Sequence, residues 1–162
     1  MSQTKTAPAA TTTDVDSLNS LLRGEISAVD TYEQALRKFD APEEAATAKA
    51  LKQIRDEHSQ AVGVLTDRVK GLGGKPSEGA GVWGVFAGTV TAGAKLIGPV
   101  TAMAALKQGE EHGIAQYEKT LENKELSTEG NYLIQSDLLP RCRKHVAALN
   151  TLIAALELKT SS

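Results

Sequence analysis

The chain has 162 residues, 41% of them hydrophobic and 23% charged, which suits one globular domain with a substantial core and is too short for two ordinary ones. Its 18 basic and 20 acidic residues are interspersed, so a net charge of -2 leaves neither a basic footprint for nucleic acid nor an acidic tail. The single cysteine, Cys142, excludes an internal disulfide, and Ser2–Thr13 lacks a charged-then-apolar leader pattern; we therefore expect a cytoplasmic protein with a mobile polar tail over residues 1–13.

Aromatic residues are only 4% of the chain and period-two alternation is scarce, so an all-α fold is the natural reading. The first helix starts near Asp14 or Asp16 and carries Leu18, Leu22, Val29, Tyr32, Leu36 and Phe39 at the three-and-four spacing of one face. Pro42, Glu43 and Glu44 suit a second helix N-terminus, and the glycines from Gly71 to Gly74 stop that helix after a stripe of Leu51, Ile54, Val62, Leu65, Val69 and Leu72. A third helix follows Pro99 with Val100, Met103, Leu106, Ile114, Tyr117 and Leu121 inward. A fourth begins near Ser127 or Thr128, is interrupted at Pro140 and continues through Leu149, Leu152 and Leu156.

The domain thus spans residues 14–159, as two hairpins (14–72 and 99–159) joined by a long crossover over 73–98. So long a connection makes the second and third helices parallel in a four-helix bundle. The stretch Gly81 to Leu96 is expected to be partly helical. A membrane span over Gly79 to Leu106 is disfavoured, since that stretch is rich in weakly apolar Gly, Ala and Thr and is broken by Gly98 and Pro99.

The two hairpins share a pattern. Gly24-Glu25 through Tyr32-Glu33 to Leu36 has the same offsets as Gly109-Glu110 through Tyr117-Glu118 to Leu121, and His58 precedes Val62 and Leu65 as His145 precedes Leu149 and Leu152. Each hairpin therefore places one glutamate and one histidine on its inward stripes, and counting residues from the turns brings all four to the middle of the bundle. Buried carboxylates need a partner. Glu25, His58, Glu110 and His145 either share a cation such as iron, manganese or zinc, or form two Glu–His pairs that fix helix register and bind nothing. Glu57, Glu111 and His112 lie beside the inward positions and are expected in solvent, whereas Tyr32 and Tyr117 are expected to pack and Cys142 to be an inert buried thiol.

These residues resemble the ferritin-like superfamily over about Asp14 to Lys159, and look most like its small bacterial members of unassigned function made from duplicated helical hairpins. In that superfamily a di-iron centre takes one glutamate from each of the first and third helices and a Glu-x-x-His pair from each of the second and fourth. The resemblance implies Glu25, Glu110, His58 and His145 as metal ligands, with iron or manganese as the ion. Arg55 and Cys142 stand where the Glu-x-x-His carboxylates would be, so a single metal, or a site that has lost its metal, is implied rather than full ferroxidase or oxygenase chemistry, and Arg55 is expected to pair with Glu25 or Glu110. The function that follows is transition-metal binding with a redox, storage or stress role. The alternative is a non-catalytic helical module that self-associates through the crossover.

Overall fold

The computed structural model describes residues 12–81 and 98–162. Of the tail expected over residues 1–13, residues 1–11 lie outside the described residues while Thr12 and Thr13 open the first helix, and the helix expected over 81–96 lies outside them apart from Gly81. Helix α1 (Thr12–Leu36) turns through a short 3-10 segment, Pro42–Glu44, into α2 (Ala45–Gly71). Helix α3 (Gly98–Leu121) leads to α4 (Thr128–Leu133), which runs through a π-helical turn, Ile134–Leu138, into α5 (Leu139–Thr160). The four rods pack pairwise, α1 on α2 and α3 on α5, as an all-α bundle.

Local sequence explains the ends. At the end of α2 the Gly73 N–H bonds the Lys70 carbonyl and the Gly74 N–H the Val69 carbonyl, with Gly73 at φ +77°, a Schellman stop that only glycine adopts without strain. Gly74 then passes so close to α1 that a Cβ would lie 2.6 Å from a Val15 methyl. Asn19 and Arg23 of α1 hold the chain beyond it through Lys75 and Ser77. Ser127 caps α4, its Oγ accepting from the Gly130 N–H at 3.0 Å.

The interruption predicted at Pro140 takes the form of the π turn. The Leu139 N–H reaches back to the Ile134 carbonyl, and Pro140 falls in the first turn of α5, where a missing N–H leaves no α-helical bond unmade. Asp14, read from sequence as a cap for α1, instead lies inside its first turn. Asp14 is 1% exposed, and its Oδ1 accepts from the Ser127 N–H at 3.0 Å, tying α1 to the start of α4.

Two apolar clusters fill the bundle. One contains Leu18, Leu22, Leu65, Val69, Ile134 and Leu138; the other contains Phe39, Leu51, Ile54, Met103, Leu149 and Leu156. The first holds residues from the start of α1, the end of α2 and the start of the fourth rod, so α1 and α5 both run antiparallel to α2. Asn123 near the end of α3 lies by Ser17 near the start of α1, so those two are antiparallel as well and α2 is parallel to α3. This is the single-crossover arrangement.

Candidate metal centre

Between the apolar clusters lies a polar layer. Glu25 from α1, His58 from α2, Glu110 from α3 and His145 from α5 are all buried, from 3 to 6% exposed, so the structure brings the four predicted residues together. They form a chain along the core rather than a ring. His58 stands between the glutamates, with Nδ1 2.7 Å from Glu25 Oε2 and Nε2 2.9 Å from Glu110 Oε1. His145 turns Nδ1 towards Glu110 Oε2 at 3.3 Å and Nε2 towards Glu57 Oε2 at 2.9 Å. The two imidazole centroids are 4.8 Å apart.

Each glutamate also receives a tyrosine from the other hairpin. Tyr32 donates to Glu110 Oε1 at 2.6 Å, and Tyr117 donates to Glu25 Oε1. Sequence reasoning gave these tyrosines a packing role. The signal for the bonds was present, because Glu25 to Tyr32 and Glu110 to Tyr117 are both seven residues, two turns of helix, and α1 is antiparallel to α3. A second departure concerns Glu57, expected in solvent. It lies one residue before His58 and so is turned from the core seam towards α5, where it accepts from His145, while Gln53 supports its other oxygen. Arg55, expected against Glu25 or Glu110, pairs instead with Glu33 at 3.3 Å and Asp56 at 2.8 Å. Glu111 sits at the surface beside Lys107.

The electrostatics follow from these contacts. Burial pulls His58 down, but Glu25 and Glu110 outweigh it and raise the ring to about 10, so both nitrogens donate. Burial pushes Glu110 up, while the positive His58 and hydrogen bonds from both histidines hold it well below the ordinary carboxylate value. Burial and the nearby carboxylates push Tyr32, Tyr117 and Cys142 upward, so all three remain protonated donors. Cys142 Sγ donates to Glu110 Oε2 at 3.1 Å. Burial pushes Glu57 up, but the His145 and Gln53 hydrogen bonds hold it below its usual value.

Three of these residues can hold a metal. A ligand atom from each of His58, Glu110 and His145 lies within 4.8 Å of the other two, and all three residues are buried. Glu25 is not in that group, because it sits on the far nitrogen of the His58 ring. Neutral imidazole and carboxylate suit iron, zinc and manganese, and the donor set fits such an ion once the protons facing Glu110, on His58 Nε2 and His145 Nδ1, leave. A void of about 10 Å³ adjoins both rings, and a cavity of about 80 Å³ between α1 and α3 reaches Glu25, His58, Glu110 and Cys142. No helix among the described residues is long and apolar enough to cross a membrane.

No curated protein and no solved structure matches the chain. A family described as a domain of unknown function (DUF2383) matches residues 13–123, which take in α1, α2, α3 and three of the four layer residues. The chain belongs to the DUF2383 family.

Proposed function

We infer that this protein is a metal-binding bundle of the ferritin-like kind, holding one transition-metal ion, iron or manganese, among His58, Glu110 and His145. The observation that carries the reading is the convergence of three buried ligand atoms within 4.8 Å. Supporting it, each histidine has its remaining ring nitrogen against a further glutamate, Glu25 for His58 and Glu57 for His145. A carboxylate behind a ligating imidazole fixes its tautomer and raises its basicity. Glu25, grouped with the ligands on sequence grounds, then acts behind His58. With carboxylates absent at Arg55 and Cys142, we assign a single-ion role in metal storage, redox or stress response rather than di-iron oxygen chemistry.

One observation favours a purely structural layer. Among the described residues the buried side-chain atoms that lack partners, on Asp14, Lys38, Arg55 and Arg68, all lie outside the layer. An ion-paired, fully hydrogen-bonded layer fixes register without any cation.

Elemental analysis of protein purified without chelator or affinity metal decides between them. We expect about one iron or manganese per chain, lost in Glu110→Gln while cooperative unfolding persists, and weakened roughly 10- to 100-fold in Glu25→Gln. Protein that stays metal-free after anaerobic loading with iron and with manganese would leave the structural layer as the answer.

A further inference from the structure

The two sides of the polar layer differ. On the α2–α5 side Arg141 is fixed in place, donating through Nη1 to the Glu57 carbonyl at 3.1 Å and through Nη2 to both Asp137 oxygens at 2.7 and 2.9 Å. The void of about 10 Å³ that Arg141 lines has room for one water. On the α1–α3 side the cavity of about 80 Å³ runs from a half-buried rim that includes Ser20, Thr31 and Gln116 to a buried floor of Glu25, His58 and Glu110. An approaching cation thus meets a fixed positive charge on the first side and carboxylates on the second.

The glycine that precedes each glutamate in the sequence repeat, Gly24 or Gly109, lines this cavity. Glycine is a poor residue for a helix interior. At Gly24 no close approach calls for it, because among the described residues a Cβ there would meet nothing within 4 Å. Its missing side chain leaves open space one residue from Glu25. Glu25 is also the layer carboxylate with acceptor capacity to spare. Among the described residues its oxygens take one donor each, Tyr117 on Oε1 and His58 on Oε2, whereas each Glu110 oxygen takes two. An ionised carboxylate offers about four acceptor positions. The Glu25 side chain is 8% exposed against 2% for Glu110.

We propose that the cavity between α1 and α3 is the route by which the ion enters, with Glu25 as a transit ligand that takes it from water and passes it to His58, Glu110 and His145. The inference rests on the metal-binding reading above and adds the direction of entry and a second role for Glu25. The ion exchanges water for carboxylate oxygen at Glu25, and its oxidation state does not change.

The test is stopped-flow mixing of metal-free, full-length protein with cobalt(II), followed by visible absorption, in the wild type, Gly24→Leu, Gly63→Leu and Glu25→Gln. A side chain that plugs the route raises the barrier to entry and exit alike, so Gly24→Leu should slow both uptake and release roughly 10-fold or more while leaving the equilibrium affinity within about threefold. Gly63 is a matched control, a helix-interior glycine of α2 that is exposed and whose Cβ would likewise meet nothing within 4 Å, and its leucine variant should take up cobalt at the wild-type rate. Glu25→Gln should slow entry as well as speed release, whereas a role confined to orienting His58 moves release alone. Wild-type uptake in Gly24→Leu, or equal slowing in Gly63→Leu, overturns the route and leaves the three-ligand site standing. Should Gly24→Leu fail to fold, an unchanged entry rate in Glu25→Gln overturns it. Absence of any cobalt(II), iron(II) or manganese(II) binding by the wild type overturns both readings.

Discussion

His58 is the residue on which the polar layer depends. Without a metal its two N–H groups bond and neutralise Glu25 and Glu110, and of the two carboxylates only Glu110 is also reached by His145 among the described residues. Replacing it with Gln leaves buried carboxylates without a counter-charge, and urea denaturation should show a loss of roughly 3–5 kcal/mol. The same contacts set a pH dependence. The ring is raised from 6.5 unfolded to about 10 folded, so its stabilisation is complete below 6.5 and is lost as pH rises through about 10. Urea midpoints of the metal-free protein should therefore fall between pH 6.5 and 10, and the fall should be much smaller in His58→Gln. A flat wild-type profile would show that the ring is neutral in the folded state.

At the scale of elements, the α1–α3 pairing and the cap of α4 make distinct demands. Ser127 Oγ satisfies the Gly130 N–H, while its own N–H is taken by Asp14 from α1. Ser127→Ala removes the cap and should cost about 1 kcal/mol, read as a lowered urea midpoint with an unchanged slope. The π turn before Pro140 widens one turn of the fourth rod just ahead of Cys142 and His145. It accommodates the missing N–H of Pro140 while Ile134, Leu138, Cys142, His145 and Leu149 remain buried along one side.

Across the whole molecule, the two hairpins are joined through the layer by reciprocal bonds, Tyr32 to Glu110 and Tyr117 to Glu25. Each tyrosine to phenylalanine change removes one donor from a buried carboxylate and should cost roughly 1–3 kcal/mol. Because both glutamates also bond His58, the two changes should not add: a double-mutant cycle should return a coupling of at least about 0.5 kcal/mol, although the tyrosines touch different glutamates. Strict additivity would mean that the tyrosines act as separate packing residues.

Much of this was legible in the sequence. The four rods, the glycine stop at Gly73, the Ser127 cap and the inward phase of Glu25, His58, Glu110 and His145 follow from the 3.6-residue period and from turn chemistry, which are properties of local chain. The common Gly-Glu-Tyr-Glu-Leu offsets likewise pointed to equivalent positions in the two hairpins. The tertiary structure alone decided who bonds to whom. Glu110 meets Tyr32, His58 and Cys142 because of the axial offset and rotation of one hairpin against the other, and packing across the whole core sets these. The same non-local fit turns Arg55 outward to Glu33 and brings Glu57 to His145, so that residues only two apart in sequence serve opposite sides of α2. Helical phase is written in neighbouring residues, whereas the register between helices is fixed only when distant side chains pack together.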